Sequence, residues 1–468
     1  MAVLNETERG DIQGNILRAY GFRFARYSIL RVVNPAGARL LLANLLDQKL
    51  ILSAATWDQQ KASKPTSAIN VAFTHSGLAA MGVSPEKLAT FPAAFAEGMA
   101  ARAARLGDRG PDAPENWSFG RDPADTHVFV TVCGLTPEAK DEMVAKLYAE
   151  LAAVGSAVVV THGLDVAAFA NHREHFGYAD GIGQPTIEGS GEAEFPGGGT
   201  PTENGWVPLK AGEFVLGYEG ESDSALPVPA EPLGRNGSFM VYRQLKQDVA
   251  AFRHFLKQQA ERVYDSDTPE NVEKLAAKLV GRWRSGCPIS RSPDKDDPAQ
   301  VKDWQINNDF RYAGDKEGRV CPIGSHIRRM NPRDVKIDGM EAPSRTHRIV
   351  RRGLPYGPPF AEGAADDGVE RGVAFMAINA SIEHQFEFLQ REWANNGEFA
   401  ELDSEDVDPI VGERKPGARF RVKLDDGRTK RMGLERFVTL RGGGYFFIPS
   451  LSALRALSAG TASAAARP

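Results

Sequence analysis

His326 stands in Cys321-Pro322-Ile323-Gly324-Ser325-His326-Ile327-Arg328-Arg329-Met330-Asn331-Pro332-Arg333, an imidazole among small and basic residues in a turn-prone stretch. Asp180 lies 146 residues before it, in Phe176-Gly177-Tyr178-Ala179-Asp180-Gly181-Ile182-Gly183-Gln184-Pro185. Arg351 lies 25 residues after it, in Arg348-Ile349-Val350-Arg351-Arg352-Gly353-Leu354-Pro355-Tyr356-Gly357. An imidazole can ligate a metal, a carboxylate can carry a proton, and a guanidinium can stabilise charge on a departing oxygen. Haem-dependent peroxide chemistry needs all three.

Each residue also has a plainer explanation. An isolated histidine is more often structural than a ligand, but Gly324 and Ser325 would let a flat macrocycle approach the backbone. A ligating histidine wants an anionic or carbonyl partner on its other nitrogen, and Glu387, in Ser381-Ile382-Glu383-His384-Gln385-Phe386-Glu387, is a candidate, its other reading being a residue of a solvated helix face. Asp180-Gly181 alone would read as a turn. As a proton carrier, an aspartate with an ordinary pKa of about 4 predicts activity on the acid side. Arg333, Arg345, Arg348, Arg351 and Arg352 could form a basic surface strand, or a site for carboxylates, which suit arginine's fork geometry. Cys321-Pro322 and Cys287-Pro288 offer rival thiolate ligands, although buried structural thiols are commoner. The glycine clusters 197–199 and 442–444 lack the strand, spacing and helix of a dinucleotide site. No nucleophile elbow, zinc-protease helix or P-loop is present.

The elements around these residues follow from periodicity. Residues 24–33, 70–74, 127–132 and 157–161 read as strands, and 35–49 and 136–153 as helices opened by Pro35 and Thr136-Pro137. Their β-α-β-β-α-β order, with extra helices between 76 and 105, predicts a ferredoxin-like α+β sandwich. Residues 186–236 are turn-rich yet carry Trp206, Phe214 and Leu216, so they read as an irregular wall. Strands at 238–243 and 372–379, helices at 246–262, 269–283 and 381–393, and short strands at 436–440 and 445–448 then predict a second unit of the same kind, with a last helix after Pro449-Ser450.

Composition narrows the classes. The 468 residues carry 42% hydrophobic and 25% charged side chains and a net charge of −5, ordinary for a globular protein and unlike a nucleic-acid binder. Three scattered cysteines make neither a disulfide framework nor a zinc cluster. With no secretory signal and no membrane span seen, a cytoplasmic location is expected. The Ala/Ser/Thr-rich tail from Ser458 is expected to fray.

The three islands, in this order, resemble those of dye-decolorising peroxidases, particularly the larger fungal-like and related bacterial branch. The resemblance runs from Asp11-Ile12-Gln13-Gly14-Asn15-Ile16-Leu17 to Phe437-Val438-Thr439-Leu440-Arg441-Gly442-Gly443-Gly444-Tyr445-Phe446-Phe447-Ile448-Pro449-Ser450. It implies two ferredoxin-like domains, 1–190 and 237–457, joined by a connector at 191–236 and followed by a tail at 458–468. It implies one haem b per chain between the domains, with His326 as iron ligand and Gly181, Arg345, Arg351 and Phe447 in contact. Asp180 would be the distal acid–base residue and Arg351 the distal arginine, with Arg352 the nearest alternative. Hydrogen peroxide and an aromatic reductant would be the partners, with no nucleic acid or membrane and a homo-oligomer left open. Trp304, Tyr312, Tyr356 and Trp393 are candidates for passing electrons to the surface. A haem-handling protein with incidental peroxidase activity is the alternative.

Overall fold

The computed structural model describes residues 4–55, 64–170, 172–222, 226–337, 344–361 and 363–460. Its strands are β1 (Phe24–Val32), β2 (Ser67–Phe73), β3 (Val128–Gly134), β4 (Val158–Ala167), β5 (Thr200–Thr202), β6 (Gly205–Val207), β7 (Ser238–Gln247), β8 (Val350–Arg351), β9 (Leu354–Tyr356), β10 (Gly372–Asn379), β11 (Arg419–Lys423), β12 (Thr429–Gly433) and β13 (Val438–Ile448). In the first half the order across the sheet is β2-β3-β1-β4; in the second it is β13-β7-β10-β9, with β8 on the same edge of β10 as β9. Both halves have the expected ferredoxin-like order, all antiparallel.

The two sheets join at two seams, each a single residue pair: Phe447 opposite Phe73, and Val166 opposite Tyr356. Joined at both edges, they close into an eight-stranded barrel without a free edge along the ring. Alternation then sorts side chains between its faces. Tyr27, Phe129, Tyr242, Met376 and Phe446 share one buried cluster inside, with Phe214 and Tyr218 of the connector packed onto it. Val71, Val130, Val241 and Phe447 face outward, under helices 35–47, 137–154 and 451–458. Those helices begin where Asn34, Thr136 and Ser450 accept hydrogen bonds from the first-turn amides, with proline at the start of the first two. Helices 249–264 and 269–280 pack with the β11–β12 hairpin in a further cluster.

Some elements differ from expectation. The segments 436–440 and 445–448 are one strand, β13, whose glycines fit tight contacts: a Cβ on Gly442 would meet Phe119 at 2.7 Å. A bulge between Leu440 and Gly442 interrupts its alternation. The expected helix at 381–393 is wound as two π-helical segments, Ile382–Glu387 and Leu389–Ala394. The strand begun at 157–161 runs on to Ala167. The helix from 269 stops at Val280, because Gly281 takes φ +95°.

Candidate active site

A cavity of about 480 Å³ lies against the outer face of the C-terminal sheet. Leu245 of β7, Val373 and Phe375 of β10, and Val438 and Leu440 of β13 form one wall. Opposite are the helix His326–Met330, the π-helical segment with Phe386 and Leu389, and the loop 410–414. The loop 172–184 and Arg351 close one end. His326, Asp180, Gly181 and Arg351, distant in sequence, therefore line one cavity.

His326 opens its helix just after Pro322-Ile323-Gly324-Ser325. Ser325 Oγ donates to Lys278 O at 2.5 Å, which ties the turn to helix 269–280. Arg328 donates to Cys321 O and Asp315 O, and Arg329 to Asn396 O and Asp406 O. The imidazole is thereby fixed. Its Nδ1 is 2.9 Å from Oδ2 of the fully buried Asp408, while its side chain stays 23% exposed. Asp408 Oδ1 accepts from the amides of Ile410 and Val411 at 2.8 and 2.9 Å. Burial disfavours this carboxylate, yet His326 and the two amides outweigh it and hold its pKa below the ordinary range. With Nδ1 engaged by a carboxylate, the proton belongs on Nδ1. Nε2, with no partner among the described residues, is the nitrogen free to ligate.

Asp408, not Glu387, is the histidine's partner. Glu387 is fully buried elsewhere, where Arg102 donates to both its oxygens at 2.6 Å and Tyr445 donates at 2.9 Å. Two further expected contacts do not line the cavity. Phe447 is on the outer face, like Leu440, but roughly 20 Å further along the strand, packed against Phe91 and Phe239. Arg345 is exposed, on the short helix Ser344–His347; Arg348, one turn later and 5% exposed, lines the cavity instead. Arg352 points away, its Nε donating to Asn15 O. Cys287 and Cys321 are buried outside the lining, their thiol pKa values pushed up by burial.

Arg351 Nη2 is 3.3 Å from Asp180 Oδ1, with side chains 32% and 53% exposed. Glu174 shapes the turn before Asp180, accepting from the amides of Phe176 and Tyr178 and from Gln247 Nε2. Gly181 follows in the left-handed region at φ +81°, with nothing within 4 Å of where a Cβ would lie. Beyond this pair, Arg282, Arg333 and Arg348 are buried in the wall. None has a carboxylate partner among the described residues; Arg282 and Arg333 are satisfied by main-chain oxygens and Asn308. Burial, then the neighbouring arginines, push the pKa values of Arg282 and Arg348 down to about 9. This end of the cavity is built to receive an anion.

Residues 11–167 match the family model described as the DyP dimeric alpha+beta barrel domain. A dye-decolorizing peroxidase of Mycena epipterygia is 34% identical, over 85% of this chain and 77% of its own length. The solved structure of a dye-decolorizing peroxidase in complex with 2,6-dimethoxyphenol matches with a TM-score of 0.80 at 27% identity, over 96% of this chain and 99% of that one. A dye-decolorizing peroxidase whose heme pocket was engineered for asymmetric sulfoxidation matches with a TM-score of 0.81 at 29% identity, over 97% and 99%. Fold and coverage make the chain an oxidoreductase of the peroxidase class. It belongs to the dye-decolorizing peroxidase family.

Proposed function

We propose that the chain holds one haem b in this cavity, reduces hydrogen peroxide there, and oxidises dyes and phenols by one-electron steps. The observation that carries this reading is the His326–Asp408 pair facing the same cavity as Asp180 and Arg351. The cavity's volume lies within the range of cofactor sites, about 300–1,000 Å³, and Leu245, Val373, Phe375, Phe386, Leu389 and Leu440 give its broad walls apolar surface. His326 Nε2 is free for the iron, with Asp408 holding the ring through Nδ1. Arg282, Arg333 and Arg348, three buried cations without a carboxylate, suit the two propionates. The relative with an engineered heme pocket supports the same cofactor.

Bound here, haem supplies a centre that takes two oxidising equivalents from peroxide and releases them singly. The protein's own part is acid–base and electrostatic. A carboxylate oxygen of Asp180 would accept a proton from one peroxide oxygen and return it to the other as the O–O bond breaks. The Arg351 guanidinium, beside that carboxylate, stabilises the charge on the leaving oxygen. The 2,6-dimethoxyphenol complex of a relative supports a phenolic reductant. The three unpaired cysteines support a reducing, cytoplasmic compartment.

Replacing Asp180 by Asn tests the proton transfer. In stopped-flow mixing of the haem-loaded protein with peroxide, Asp180→Asn is expected to react ~10²–10⁴-fold more slowly. Reaction at the parent rate would remove Asp180 from this role.

A further inference from the structure

Asp180 and Arg351 come from distant parts of the chain, and an ion pair this exposed contributes little to holding itself together. Their spacing must come from the backbone beneath them. One side chain makes that connection. Gln184, four residues after Asp180, lays its carboxamide along the Arg351 main chain: Nε2 donates to Arg351 O at 3.0 Å, and Oε1 accepts from Arg351 N at 3.1 Å. On β8's other edge Arg351 pairs with Ala377 of β10. Gln184 thus takes the place that a neighbouring strand would have. Two further bonds hold the loop between the ends: Asn308 Nδ2 to Ile182 O at 2.7 Å, and Asp180 N to His172 O at 3.2 Å.

We propose that Gln184 is a positioning residue for the peroxide reaction, setting the Arg351 guanidinium opposite the Asp180 carboxylate by clamping the Arg351 backbone. This rests on the roles proposed above for those two residues. A glutamine can do this because its amide donates and accepts at once; a carboxylate of the same length only accepts, whereas the protonated acid does both. The charged groups around the clamp are Asp180 and Arg351 themselves, Arg348, which reaches Gly183 O at 3.5 Å, and Arg352, whose Nη1 also donates to Arg351 O at 3.3 Å.

The test uses the haem-loaded full chain. Gln184→Met, similar in length but without the amide, should react with peroxide about 10- to 100-fold more slowly, while its oxidation of a phenol after peroxide addition keeps the parent rate. A purely structural role would instead lower both steps together. Gln184→Glu should be slow at neutral pH and recover towards the parent rate as acid restores the missing proton. Without haem, hydrogen exchange of the Arg351 amide should be faster in Gln184→Met than in the parent. A Gln184→Met protein reacting at the parent rate, or a Gln184→Glu protein with the parent's pH profile, overturns the assignment. Should Gln184→Met fail to fold, Gln184→Glu decides alone. Asp180→Asn measured alongside separates the two claims. If it too matches the parent, the role of Asp180 on which the clamp rests falls; if it alone is slow, only the clamp falls.

Discussion

His326 gains its chemistry from a residue 82 positions away. Asp408 has no motif around it, and only the fold brings it to the imidazole, so the sequence offered the ligand but not its partner. Glu387 looked equally suitable as a carboxylate, and the buried Arg102 and Tyr445 claim both its oxygens. The choice between Arg351 and Arg352, by contrast, follows alternation: neighbouring residues on extended backbone point to opposite sides, and Arg352 turns to Asn15. Asp408→Ala leaves His326 Nδ1 and two amides without an acceptor. Haem affinity of that variant, measured by competition with a haem-binding protein, should fall about 10- to 100-fold; unchanged affinity would mean the carboxylate does not support the ligand.

At the scale of elements, most helices and strands were legible because their periods and caps agree. The seams were not, since each rests on one residue pair, and neither was the π-winding of 382–394. The β11–β12 hairpin was missed, although Asp426-Gly427 between alternating residues is a turn signal. The β2–β13 seam has a brace in the Asp-Ile-Gln-Gly-Asn segment. Gln13, fully buried, donates to Val71 O and Pro449 O and accepts from Val71 N. Gln13→Ala leaves these groups unsatisfied and should cost about 1–3 kcal/mol in denaturant unfolding. The rate with peroxide should hold, since the seam lies away from the cavity.

For the whole molecule, stability should carry an acidic-side component from Glu213, part of the connector packed on the barrel. Burial pushes its pKa from 4.5 up to about 7. A carboxyl raised in the folded state stabilises fully below its unfolded pKa, and that contribution is lost as pH rises through the folded value. Melting temperature should therefore lose a component between about pH 4.5 and 7, worth at most ~3 kcal/mol, and Glu213→Gln should remove it. A parent-like profile for Glu213→Gln would place the pH dependence elsewhere. The largest assembly, one barrel whose outer face carries the cavity, depends on the placement of His326 over that face. The direct measurement is haem titration, followed by absorption, of the parent and of His326→Ala with and without added imidazole. The account predicts one histidine-ligated haem per parent chain, and for His326→Ala a changed spectrum that imidazole restores. An identical spectrum and affinity in His326→Ala would contradict it.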